Sequence, residues 1–460
     1  MIIIDNINFL RESVNQQVDV FNGIIRIDMK KIRNNFSNWF AVVVIVVSST
    51  FVSRSFSMVY DNRFIPLLQR PYIRVPCANT YLSVAPFFAY SDKSWCSKDN
   101  EQSLLEIYGC FDQGALGNAF RLVKGCNPIT DYNPEWKGPI GWIIDGKIQA
   151  QGISFSGEHR FKKWLSIGFY SLFMHVNSSI DFIRNLDPQH DSICGNATEE
   201  DKIALDRIRR QMFKELCLSC GHSSEFGFGD IDLYFRLGWE WDYAYKFRHI
   251  DVGLRIGALL GTGQTRQIND PLSIPFGGNG HYGVYISADG EFEVKEDLIV
   301  GLLFRVSKRF ARTYRERMPV CQKPSEFKVP QNFAVEIGNV QVNPGATFVF
   351  SPYVIAENVR DGLGFRLQYT LTHHQKDHWT DKRPTAKKGD VSVDLKEVEK
   401  LSVWGSDYVS LTAFYDFGKA RVCRGYEPIL SLTWDLPTTW LASQNVSQTQ
   451  KLTIGLEFNF

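Results

Sequence analysis

The 460 residues hold no uninterrupted stretch of about 20 apolar side chains, so no helix of this chain spans a bilayer. Neither sign of charge prevails. Against 50 Asp and Glu stand 51 Lys and Arg, without the basic excess that a nucleic-acid-binding face shows, so no nucleic-acid partner is expected. If such a chain enters lipid at all, one form remains: a closed β-barrel, which satisfies every backbone hydrogen bond within itself. The cluster His373, His374, Asp377 and His378 lacks a serine partner to act as a nucleophile, so a lipase or protease is not expected, and no cofactor is called for.

The amino end carries an export pattern. Lys30, Lys31 and Arg33 form a basic patch, and Trp39 to Val52 an apolar run too short for an anchor. Ser55 and Ser57 are small residues suited to cleavage before Met58. This predicts a signal peptide over 29–57, a non-native or untranslated extension over 1–28, a periplasmic segment over 58–79 and a barrel over 80–460. Export to an oxidising compartment also suits the nine cysteines, whose odd number leaves one unpaired or paired to another chain.

What the chain has in quantity is alternation. In DIDLYFRLGWEW (Asp230–Trp241) one parity reads Ile231, Leu233, Phe235, Leu237, Trp239 and Trp241, and the other carries Asp230, Asp232, Arg236 and Glu240. Segments 249–258, 281–294, 298–309 and 363–372 repeat the pattern, and 81–90, 147–156, 164–175, 346–356, 404–415 and 426–436 show it more weakly. The last ten residues, KLTIGLEFNF, end the series on Leu456, Phe458 and Phe460. Strands of about 10 to 13 residues, tilted near 45°, cross an apolar band roughly 25 Å tall. Trp239, Trp241, Tyr282, Phe292 and Tyr369 fall toward segment ends, where interfacial aromatic girdles sit.

The connections alternate as well. Short links (157–163, 242–247, 295–297, 357–362, 416–425) separate long ones (91–146, 176–229, 259–280, 310–345, 373–403, 437–448). Short periplasmic turns and long external loops have that order, and an even strand number returns both termini to the periplasm. The expected fold is all-β: a closed antiparallel transmembrane barrel of about twelve strands with long external loops, one containing a helix. That helix is TEEDKIALDRIRRQMFKEL, with Thr198 and Asp201 spaced as a capping box.

A terminal strand with one lipid-facing parity and a final Phe resembles the recognition signal of bacterial outer-membrane β-barrels. That resemblance implies the outer membrane as location and its assembly machinery as partner. GFGDIDLYFRLGWEW (Gly227–Trp241) followed by DVGLRIGALLGTG (Asp251–Gly263) is similar to paired strands of the fatty-acid and aromatic-compound transporter superfamily. The chain lacks that group's amino-terminal Asn-Pro-Ala hatch motif, so no ligand residues are carried over.

If the apolar parity meets lipid, the other lines the lumen. Asp230, Asp232, Glu240, Asp251, Asp289, Glu291, Glu293 and Glu457 then face Arg236, Arg255, Arg305, Arg309 and Arg366. Opposed charges either set a transverse field that selects solutes or pair across the lumen and fill it. The expected function is a passive pore for small polar or amphipathic solutes. The alternative is a non-conducting, adhesin-like surface barrel whose Cys-rich loops bind partners. The topology places Cys77 and Cys423 together on the periplasmic side as a possible disulfide, with the remaining cysteines in external loops. Cys217, Cys220 and His222 are weak zinc candidates, because no second tight ligand pair accompanies them.

Overall fold

The computed structural model describes residues 62–65, 79–97, 100–184, 198–219, 221–243, 245–322, 329–385, 391–418 and 427–460. The expected signal peptide and extension, Cys77, Cys220 and Cys423 lie outside these residues.

Twelve antiparallel strands close into a barrel, as the alternation predicts. They are β1 (Thr80–Ser91), β2 (Gly141–Lys162), β3 (Leu165–Arg184), β4 (Ile231–Asp242), β5 (His249–Leu260), β6 (Gly283–Lys295), β7 (Leu298–Arg309), β8 (Ala346–Arg360), β9 (Leu363–His374), β10 (Trp404–Asp416), β11 (Glu427–Thr438) and β12 (Gln450–Asn459). Each pairs with its chain neighbours, and β12 pairs with β1 from Tyr81↔Asn459 to Tyr90↔Gln450. Beyond β12, the Phe460 carbonyl accepts from the Asn79 and Thr80 amides at 3.1 and 2.8 Å. No sheet edge is left bare at the seam.

The exterior carries the apolar parity. Leu233, Phe235, Trp239, Ile256, Ile286, Leu302, Phe304, Leu367, Leu432, Ile454 and Leu456 are all exposed, a continuous apolar surface that water would not stabilise and hydrocarbon does. Among the described residues no helix is long and apolar enough to cross a membrane.

Two strands are longer than expected, and their sequence shows why the alternation hid it. In the lower half of β2, Ile153 and Phe155 point outward, exposed, while Ser154 and Glu158 point inward. Above that the pattern inverts: Lys147, Gln149 and Gln151 point outward, and Trp142, Ile144, Ile148 and Ala150 are buried inside. On β3, Leu172, Met174, Val176 and Ile180 make the same inward apolar row. Outside the bilayer a strand faces water externally and a packed cap internally, so its amphipathic sense reverses. The expected loops 91–146 and 176–229 are therefore corrected. β2 starts at Gly141, β3 runs to Arg184, and a further strand, His222–Phe228, pairs with the upper half of β3.

That further strand and β4 are one path interrupted by a bulge at Gly229 and Asp230. Phe226 and Phe228 face outward on even numbers, Leu233 and Phe235 on odd ones, so one extra residue has been inserted.

The long loops pack over the barrel end. The expected helix is present as α3 (Glu199–Glu215), with a complete capping box between Thr198 and Asp201. The first long loop holds two helices not expected from sequence, α1 (Gln113–Lys124) and α2 (Pro128–Tyr132), and α4 (Leu395–Leu401) lies in the loop before β10. Two glycines in the first turns of α1 weaken its sequence signal, yet packing requires one of them. A Cβ on Gly114 would lie 2.0 Å from the Gly138 carbonyl oxygen. Phe111, Phe120, Trp142, Phe213 and Phe333 join these helices to the tops of β2 and β3 in the largest apolar cluster.

Of the segment 58–79, expected at the periplasmic end, residues 62–65 are described away from the short turns. They lie at the long-loop end. Asn62 Nδ2 donates to the Pro275 carbonyl at 2.9 Å, and Ser447 Oγ donates to the Phe64 carbonyl at 2.7 Å. Phe64 and Ile65 are buried against Phe87, Ile148, Met174 and Phe276. Apolar side chains that would stand exposed at the other rim find the inward apolar rows of β2 and β3 here.

Candidate solute pathway

Inside the membrane-level barrel the expected lumen residues form a lattice. Arg236 clasps Asp289 through Nε at 3.0 Å and Nη2 at 2.6 Å, and Nη2 also reaches Asp251 at 3.0 Å. Arg255 Nε approaches Asp289 at 3.1 Å. Arg305 on β7 donates to Asp232 on β4 at 3.1 Å, passing over the Tyr285 ring of β6 with its guanidinium carbon 3.5 Å from the centroid. This contact is a chord across the lumen rather than a neighbour pairing. Glu291 accepts from the Tyr353 hydroxyl at 2.7 Å. On the wall beyond, Lys451 meets Asp435 at 3.2 Å, and Arg366 and Glu457 are buried.

At the two ends the placement differs. Asp230, at the bulge, is fully buried: it accepts from the Gly263 and Gly278 amides at 2.9 and 2.7 Å and lies 2.8 Å from Arg309. It ties the 259–280 loop to the barrel. Glu240 and Glu293 sit half-buried near the short turns, Glu240 at 3.1 Å from Arg160 and Glu293 at 3.9 Å from Arg248. They belong to a rim, away from the lattice. Tyr234, which donates to Glu158 at 2.9 Å, along with Tyr285 and Tyr353, completes the lattice. Their inward parity marks all three in the sequence.

Above the lattice, the long loops enclose a cavity of about 1080 Å³. Its floor is the top of the strands, with Ser307, Arg309, Thr347 and His374, and its walls include Arg63, Tyr108, Arg266, Tyr314, Trp379 and Trp404. His374 is fixed by Thr347 Oγ1 at 2.7 Å and Asp377 at 2.9 Å and stacks on Trp404 with centroids 5.6 Å apart. Burial holds His281 below its ordinary pKa, and burial pushes Glu106 up. The sequence does not mark this chamber, because its residues come from segments far apart in the chain with no common spacing.

No protein-family model and no curated protein matches the chain. Among solved structures, an outer membrane channel from Pseudomonas putida F1 aligns at 10% identity, TM-score 0.46, over 86% of this chain and 100% of that one. The toluene transporter TodX from Pseudomonas putida aligns at 8% identity, TM-score 0.30, over 84% and 89%. The translocator domain of the autotransporter NalP from Neisseria meningitidis aligns at 9% identity, TM-score 0.31, over 92% and 95%. These likenesses lie at the level of the barrel.

The five described cysteines, Cys96, Cys110, Cys126, Cys217 and Cys321, carry free thiols and form no disulfide among themselves. Burial raises the Cys110 pKa. Cys217 and His222 are both exposed, and no group of three candidate metal ligands occurs among the described residues.

Proposed function

We propose that this chain is an exported bacterial outer-membrane channel that passes small polar or amphipathic solutes without an energy source. In this reading the cavity collects solute and the charged lattice selects it. The observation that carries the proposal is continuity. Ser307, Arg309, Thr347 and His374 form the floor of the cavity and are the uppermost inward residues of β7, β8 and β9. Solute held in the chamber therefore rests on the lumen wall. The signal peptide at 29–57, delivery to the assembly machinery through Leu456, Phe458 and Phe460, and a Cys77–Cys423 pairing belong to the same proposal, which assigns no enzymatic role.

The rival is a non-conducting barrel whose loops bind partners. It draws on the lattice itself, since paired and buried side chains at mid-height fill cross-section that a wide pore would leave to water. Purified protein in planar bilayers separates the two. Stable single-channel steps, together with liposome swelling in small sugars and amino acids, are the expected result. Silence from folded, heat-modifiable protein would favour the rival.

A further inference from the structure

The cavity is lined by a guanidinium of which two buried nitrogens meet no hydrogen-bond acceptor among the described residues. The Arg266 side chain is 6% exposed, and its nearest counter-charge is Glu316, 3.9 Å from Nη1. Its Nε and Nη2 are buried and meet no acceptor. These two nitrogens form the edge of a guanidinium that receives a carboxylate side-on. The chain uses that edge elsewhere. Arg236 takes Asp289 through Nε and Nη2, and Arg383 takes Asp381 in the same way. At Arg266 no carboxylate of the described residues fills it. Burying donors unmatched is destabilising, so the site is poised for an acceptor from outside.

The surroundings suit an organic anion. The guanidinium carbons of Arg63 and Arg266 lie 4.5 and 5.6 Å from the centroid of one ring, Tyr108. All three residues, with Phe64 and Tyr314, line the cavity. Two cations and an aromatic face converge where the loops leave room for a compact body.

We infer that Arg266 is the receptor for the carboxylate of a small organic monoacid, with Arg63 as a second cation and the apolar body of the solute against Tyr108 and Phe64. The guanidinium edge is buried, so in this proposal a seated carboxylate requires the Arg266 side chain to rotate toward the cavity. This inference rests on the channel reading for the route onward, but binding is measured apart from it.

The test is calorimetry on the full chain in detergent at neutral pH, with benzoate and its neutral counterpart benzyl alcohol as probes. Wild type should bind benzoate at least tenfold tighter than benzyl alcohol. Arg266→Gln should weaken benzoate about tenfold and leave benzyl alcohol unchanged, and Arg266→Lys should restore part of the preference. Equal affinity for the two probes, or unchanged benzoate affinity in Arg266→Gln, overturns the proposal. If Arg266→Gln loses both probes through a collapsed chamber, Arg266→Lys decides: a recovered preference for benzoate supports the site, and none refutes it. Selective binding by a protein silent in bilayers would refute the channel and leave the site standing. A conducting protein without the preference would refute the site alone.

Discussion

At the scale of single residues, the sharpest contrast is between neighbours on one strand. Leu302 is 41% exposed on the outer face of β7, and Leu303 is 7% exposed on the inner face, across from Asp289 of β6. A lipid-facing arginine at mid-depth costs about 2–4 kcal/mol. Leu302→Arg should therefore reduce the folded, heat-modifiable fraction severely, whereas Leu303→Arg points into the polar lumen and should assemble better, as judged by band shift on unheated gels. Equal tolerance would reverse the face assignment. A second residue-scale prediction concerns pH. The backbone amide of Thr198, and then its hydroxyl, hold the Asp201 carboxyl below its ordinary value. A carboxyl depressed on folding stabilises above its unfolded pKa, near 4, and that contribution fades as pH falls through the lower folded value. Amide exchange in the first turn of α3 should accelerate relative to its centre below about pH 4, and Asp201→Ala should abolish that pH dependence.

At the scale of elements, the membrane-crossing strands were legible because lipid on one side and charge on the other impose a strict two-residue period. Where the surroundings change, the period misleads. The alternation places only 147–156 of β2 and 164–175 of β3 in strands and leaves 141–146 and 176–184 in loops, because outside the bilayer the inward side chains turn apolar and the outward ones polar. α1 has no clear signal because Gly114 and Gly117 weaken it, and the close packing that requires Gly114 leaves no local pattern. α3 was found because its capping box is local. The loop cap depends on a residue that spacing could not mark. Arg317, fully buried, donates to the carbonyls of Ile268, Ala334 and Leu216 and to Asn269 Oδ1 at 2.8 to 3.1 Å. Burial pushes its pKa down to about 10. Arg317→Met strands four acceptors in an apolar setting, each costing about 1–3 kcal/mol if left unmatched. Limited proteolysis of the folded barrel should then cleave the 259–280 and 310–345 loops at least tenfold faster, with the strands staying protected.

At the scale of the whole molecule, the lattice decides whether the barrel is a filter or a plug, and charge removal distinguishes them. Arg236 faces two carboxylates, Asp251 and Asp289, with Arg255 as the other base in contact with Asp289. Taking one partner from a buried pair costs about 3–5 kcal/mol when the remaining charge stays dry. In a lumen that water can enter, that cost is met by hydration, and the cross-section gains both space and negative charge. Arg236→Ala should then raise single-channel conductance and move the reversal potential under a salt gradient toward that of the cation. Glu240→Ala, at the rim beside Arg160, should change selectivity much less. If Arg236→Ala folds and its ion selectivity matches wild type, permeating ions do not pass this lattice. The pathway would then have to leave the lumen above β4 and β7, near the Asp230–Arg309 contact, and the filter would have to be sought in the chamber walls.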